Sequence, residues 1–355
     1  MATLKPLEGA CVWHGRDLAK STAWVRDFTA GELAALDAAL TQVRARGLTW
    51  HAIRPEDFPI LALRPLLDEI AEALENGLGV FKLRGLPVDR YGEDDLRRLY
   101  FGLGVNLGRP VYQNRRGELM RAIRDEGGDL GQRYGQVRQA GGAGTFLSSY
   151  ARTLSNGVLR FHTDRTDAVS LLCVRQARAG GLSKVCSSPA VHNEMLRRRP
   201  DLAETLFAPV PRSRLGEESD EAANVYDLPV FGVRDGRFTS HFSLTYIEAA
   251  QLVPNVPRLS DQQREAIELL LALAEELAFE MTLEPGDLQF INSHVTYHGR
   301  TPFEDDKASG RDRLLLRLWL AMPNSRALPE DHAVLWRNVE AGALRGGIAQ
   351  SAPQH

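Results

Sequence analysis

Two stretches far apart in the chain carry side chains that bind metals. Phe161-His162-Thr163-Asp164 sets an imidazole and a carboxylate two residues apart. In an extended strand, residues i and i+2 project from one face, so His162 and Asp164 can reach one ion. Asn292-Ser293-His294-Val295-Thr296-Tyr297-His298 supplies more imidazoles, presented after the apolar stretch Gly286-Asp287-Leu288-Gln289-Phe290-Ile291. A His-x-Asp pair plus one distant His is the ligand set of a mononuclear iron(II) site with open coordination positions, and the same donors suit Mn(II) or Zn(II). Alone, His-x-Asp is a weak signal that also occurs at solvent-facing strand ends. The candidate third ligands are His192, His241, His294 and His298, and spacing does not choose among them.

A second constellation lies downstream. Arg313 and Arg317 flank Leu314-Leu315-Leu316 and lead into Leu318-Trp319-Leu320, the composition of a core strand. Four residues apart, the two arginines share a strand face with Leu315 and Trp319. A guanidinium in such a strand is costly unless an anion pairs with it, and its planar fork suits a carboxylate. Arg313 adjoins the charged loop Glu304–Asp312 and is expected to be the more exposed of the two. Arg115-Arg116-Gly117 reads as a solvated turn.

Elements that could position these groups follow from periodicity. Residues 1–75 look mostly helical, with Leu33, Leu36, Leu40 and Val43 at helical spacing and a similar pattern over Leu66–Leu74. Gly79–Leu86 reads as a strand closed by Pro87, and Glu93–Leu103 as a helix. Residues 125–144 hold seven glycines and are expected to form a mobile loop, a candidate lid. Val169–Val174 reads as a buried strand. Asp235-Gly236 suits the turn of a hairpin joining Val230–Val233 to Arg237–Phe242. Ser260 with Gln263 forms a capping box that opens an amphipathic helix to about Phe279. Gly286–Asn292 and Leu314–Met322 read as the last strands. The chain thus divides into a helical N-terminal extension over 1–75, a strand-rich body over 76–340, and a flexible tail over 341–355.

Composition narrows the class. Of 355 residues, 43% are apolar and 25% charged, ample for a large core. A net charge of −3 gives no reason to expect nucleic acid. No apolar run reaches membrane-spanning length, and the first residues lack a signal-peptide core. Three cysteines, Cys11, Cys173 and Cys186, fit a reducing cytoplasm. A homo-oligomer is compatible with the sequence but not readable from it.

With these residues in place, the chain resembles the taurine dioxygenase-like (TauD/TfdA) family of Fe(II)/2-oxoglutarate-dependent oxygenases. The resemblance runs from about Gly79 to Asn324. It includes Tyr100-Phe101-Gly102-Leu103-Gly104, Leu107-Gly108-Arg109-Pro110, the His162/Asp164 pair, Gly180-Gly181-Leu182-Ser183, Gly286-Asp287, Thr296-Tyr297-His298 and Arg313-x-x-x-Arg317. Each motif is weak alone, but their order and spacing together are specific. The resemblance implies a mixed α and β fold, a double-stranded β-helix (jelly roll) flanked by helices. It implies His162, Asp164 and His298 as iron ligands and catalytic residues, His298 because the family pattern Asn-x-x-Val-Thr-x-His ends there. It points to Arg313 as the anchor of the distal carboxylate of 2-oxoglutarate, assisted by Ser183, which stands where a Thr is usual. Arg317 would lie near the cosubstrate or the substrate's anionic group, and Asn156 near the substrate.

The implied reaction consumes O2 and 2-oxoglutarate, gives succinate and CO2, and oxidises a C–H bond of a small anionic or amino-acid-like metabolite. Asp164 argues for hydroxylation, since related halogenases lack that carboxylate. Two other classes remain on the sequence: a metal-dependent hydrolase or isomerase on a related barrel, and a barrel that binds a small molecule without catalysis. A hydrolase or isomerase has no evident need of the inward arginine pair, and against the non-catalytic barrel stands the presence of all three candidate ligands.

Overall fold

A computed structural model describes residues 4–130, 136–138, 145–214 and 225–348. Its centre is a pair of facing sheets. In chain order their strands are β1 (Val25–Asp27), β2 (Val80–Arg84), β3 (Arg109–Pro110), β4 (Met120–Ile123), β5 (Leu159–His162), β6 (Ala168–Arg175), β7 (Ser183–Ser187), β8 (Phe279–Met281), β9 (Leu288–Asn292), β10 (Thr296–Arg300) and β11 (Leu314–Ala321). The larger sheet runs β1-β2-β9-β6-β11-β3, with β4 also pairing β11, and the smaller runs β8-β7-β10-β5. Every pairing in the two sheets is antiparallel except β1 with β2. This is the jelly roll that the sequence predicts.

Alternation along the strands builds three cores. Helices Ala30–Ala45, Arg64–Glu75 and Glu93–Leu107 cover the outer face of the larger sheet, packing Leu36, Ile70 and Tyr100 against Phe81, Phe290 and Leu318. Helices Ser188–Arg198 and Asp261–Glu276 cover the smaller sheet through Phe161, Cys186 and Tyr297. Between the sheets lie Val80, Cys173, Val185, Ile291 and Leu315. Because Phe161 and Tyr297 point outward, their neighbours His162 and His298 point into the barrel.

Local chemistry explains several elements. Thr29 and Glu32 form a capping box on the first long helix, and Ser260 and Gln263 form another on the Asp261–Glu276 helix. The expected hairpin exists, with Phe231–Arg234 paired to Arg237–Ser240 across Asp235 (φ 52°) and Gly236 (φ 73°).

The structure differs from the sequence reading at three places. The N-terminal segment is not helical throughout, since Val25–Asp27 adds a parallel edge strand to the larger sheet. Three residues are too short to show a period, and the pairing needs the partner strand. Residues 341–348 are not a tail: Arg345 is 1% exposed and Ile348 is buried, held by an ion pair that sequence proximity could not reveal. Within 125–144, Gln136–Arg138 pairs with Thr145–Leu147, and 131–135 and 139–144 of the expected lid lie outside the described residues.

Candidate metal centre and anion cavity

The smaller sheet brings the three expected metal ligands together. β5 and β10 are neighbours, and His298 sits opposite His162 in register. Their ring centroids are 4.2 Å apart. Asp164 follows β5 and completes the group: His162 Nε2 lies 3.6 Å from Asp164 Oδ1 and His298 Nε2 lies 3.7 Å from Oδ2. One ligand atom from each residue falls within 4.8 Å of the others, which leaves room for a single ion.

The surroundings fit a divalent metal. The Arg160 carbonyl, 2.9 Å from His162 Nδ1, can only accept, so it fixes the proton on Nδ1 and turns the Nε2 lone pair to the centre. Burial pushes the Asp164 carboxyl up. Arg317, the hydrogen bond with His162 and the His298 imidazole outweigh that and hold it far below the usual range. Burial and the neighbouring His162 push His298 down to about 3. A charged carboxylate beside a neutral imidazole is the state in which both bind metal.

Asp164 is held from outside as well. Trp319 Nε1 donates to its Oδ2 at 2.8 Å, and Arg317 Nη1 lies 3.5 Å from the same oxygen. Arg317 is fixed in turn by Gln113, whose Oε1 accepts from Arg317 Nε at 2.7 Å. Gln113 Nε2 donates to the carbonyls of Arg317 (2.8 Å) and Leu119 (3.0 Å). Gln113 belongs to no motif, and only the pairing around β11 brings it here.

Beside the metal group lies a cavity lined by Arg300, Arg313, Arg317, Ser183, Leu171 and Leu315. Arg313 and Arg317 do share a face, but Arg313 is 6% exposed, against the expectation that it meets solvent. Gly180 (φ 73°) and Gly181 (φ 71°) let the neighbouring turn pack closely on this segment: a Cβ on Gly181 would sit 3.1 Å from Arg313 Nε. The Arg313 Nη1 is buried without a partner, and burial lowers the guanidinium pKa to about 10. Ser183 Oγ donates to Gln289 Oε1 at 2.8 Å.

Arg300 was not singled out from the sequence. Its signal was the spacing His298-Gly299-Arg300, which puts it on the inward face with His298. Burial, then Arg313, lowers its pKa to about 9. Asn156 does not line this cavity. It is exposed, six residues before His162, and its carbonyl accepts from Phe303 N at 3.0 Å.

The competing histidines have other partners. His294 Nε2 is 2.8 Å from Asp167 Oδ1 and its Nδ1 is 3.0 Å from Thr239 Oγ1. His241 stands by Thr163 and Arg212. His192 packs among Phe207, Phe231 and Phe238.

This architecture matches known proteins over most of its length. The chain is 28% identical over 333 residues to FR-33289 synthase of Streptomyces rubellomurinus, covering 92% of this chain and 93% of that protein. It is 28% identical over 277 residues to L-asparagine oxygenase of Streptomyces coelicolor, covering 72% and 76%. Among solved structures, asparagine oxygenase in complex with Fe(II), 3-hydroxyasparagine and succinate superposes with a TM-score of 0.62 at 18% identity, covering 90% of this chain and 99% of that one. The non-heme iron oxygenase OrfP in complex with Fe and alpha-ketoglutaric acid superposes at 0.60 and 18% identity, covering 83% and 93%. The model of the taurine catabolism dioxygenase TauD, TfdA family matches residues 42–319. With three quarters of its length inside that match, the chain belongs to the TauD, TfdA family.

Proposed function

We propose that this protein is a non-haem iron, 2-oxoglutarate-dependent dioxygenase that hydroxylates a C–H bond of a small amino-acid-like or anionic metabolite. The observation that carries the reading is the convergence of His162, Asp164 and His298 beside the buried guanidinium groups of Arg300 and Arg313, which have unpartnered nitrogens and, among the described residues, no carboxylate within ion-pair distance. The products named with the solved neighbours, 3-hydroxyasparagine and (3S)-hydroxy-L-Arg, support an amino-acid-like substrate.

In this reading His162, Asp164 and His298 hold Fe(II). An Fe(II) ion held there would let O2, the oxidant, react with 2-oxoglutarate and substrate, so that one oxygen atom would end in the substrate C–H bond, the other in succinate, with CO2 released. The chain's own work is placement. Arg313 takes the distal carboxylate of the cosubstrate, and Ser183 lines the same cavity. Arg317 has Nε on Gln113 and Nη1 on Asp164, so its Nη2 is the edge left for the substrate's acidic group. The apolar walls, Leu171 and Leu315 among them, exclude water from the reacting atoms. The three cysteines are unpaired, which accords with a cytoplasmic enzyme. No helix of the described residues is long and apolar enough to cross a membrane.

The test is succinate release with Fe(II), ascorbate and 2-oxoglutarate across amino acids and small carboxylic, sulfonic and phosphonic acids. Substrate-stimulated succinate matched by O2 uptake is expected. Turnover that needs neither O2 nor 2-oxoglutarate and runs on zinc or manganese would instead identify a hydrolase or isomerase.

A further inference from the structure

Arg300 and His298 enter the barrel from the same face of β10. Only one arm of Arg300 is used: Nη2 donates to the carbonyls of Ser155 and Gly157, both at 2.6 Å. Its Nε and Nη1 are buried with no partner. Arg313 enters from the other sheet, with Nη1 likewise unpartnered. Both guanidinium groups lie over the Phe303 ring, 4.7 and 5.2 Å from its centroid. Among the described residues no carboxylate comes within ion-pair distance of either. Two buried cations of like charge, sharing one ring with no carboxylate in direct contact, repel each other and forgo water, an arrangement that is costly until an anion completes it. A role limited to tying down residues 155–157 needs Nη2 alone and leaves the other two donors unexplained.

We infer that Arg300 is the second arm of the cosubstrate anchor: Arg300 and Arg313 together hold the distal carboxylate of the 2-oxo acid, one from each sheet. This rests on the oxygenase reading above. Its consequence is selectivity. A cavity with two unpaired guanidinium groups demands a charged tail and rejects a 2-oxo acid that ends in a methyl group, because the donors would then stay buried and unpaired.

The test compares 2-oxoglutarate with 2-oxopentanoate, the same chain without the distal carboxylate, by calorimetric binding to the ferrous protein without O2. Wild type is expected to bind 2-oxoglutarate far more tightly. Arg300→Gln should weaken 2-oxoglutarate by about 10- to 100-fold, the worth of a charge-assisted hydrogen bond, and leave 2-oxopentanoate within about threefold. If the variant weakens both ligands alike, or neither, Arg300 is structural and the inference fails. Arg300→Lys keeps one charge without the fork and should fall between wild type and Arg300→Gln. It serves as the test by the same ratio if Arg300→Gln does not fold. Wild-type protein that binds neither acid would overturn the oxygenase reading itself, whereas wild type preferring 2-oxoglutarate and Arg313→Gln losing that preference, beside an inert Arg300→Gln, would overturn only the second arm.

Discussion

At the scale of single residues, the site is a set of donors whose orientation is fixed from behind. His162 is turned by a backbone carbonyl, Asp164 by the Trp319 indole, and Arg317 by Gln113. Contacts of this kind around a metal ligand are each worth about 10- to 100-fold in metal affinity. Trp319→Phe keeps the ring's bulk and removes the N–H, so it should weaken ferrous or cobalt binding by that range while the fold persists. Binding unchanged within twofold would show that the indole does not orient Asp164. His162→Ala removes a ligand outright and should cost more than about 100-fold in Fe(II)-dependent succinate formation, beyond what outer contacts give. A variant with full turnover would remove His162 from the chemistry.

At the scale of elements, turns decide how close the strands come. Gly286 opens β9 at φ 91°, and a Cβ there would meet the Leu86 carbonyl oxygen at 2.1 Å. Gly310 has a similar positive φ of 71° but open space around it. Both substitutions to Ala carry the left-handed penalty of about 1–2 kcal/mol, and only Gly286→Ala adds a backbone clash. Urea unfolding should therefore show Gly286→Ala losing more than about 2 kcal/mol and Gly310→Ala clearly less. Equal losses would mean that the approach of residue 86 to this turn is loose. Much at this scale was legible in the chain. Asp235-Gly236 announced its hairpin and Ser260 with Gln263 announced its helix. β1 was not legible, because three residues show no period.

At the scale of the whole molecule, a buried polar network joins the sheets to the C-terminal segment. Asp167 accepts from Arg345 Nε at 2.8 Å and from the Met322 amide at 3.0 Å, and lies 2.8 Å from His294 Nε2. Burial pushes His294 down to about 4 against the opposing pull of Asp167, and burial also lowers His192, His241 and His332. These histidines take up protons in the unfolded chain near pH 6.5, before the folded protein does. Their contribution to stability is therefore whole above pH 6.5 and is lost as the pH falls below it, for His294 across the interval down to about 4. For His294 alone the loss is on the order of 3 kcal/mol. The urea midpoint of the protein should drop steeply across that interval, and His294→Gln should flatten the slope. A midpoint constant from pH 7 to 4.5 would contradict this account.

The sequence by itself determined the donor chemistry. It placed His162 and Asp164 one strand step apart, and Arg317 on β11 on the same face as Arg313 just before it, because a strand's period of two is a local property. It also carried enough ordered motifs to identify the family. Tertiary structure alone decided which distant side chains share a cavity. It seated His298 opposite His162 and gave His294 to Asp167. It also brought Gln113 to Arg317, and set Arg300 and Arg313 over one ring with no carboxylate among the described residues within ion-pair distance. Those choices depend on register between strands more than a hundred residues apart, and register is set by packing across the barrel, which no local pattern encodes.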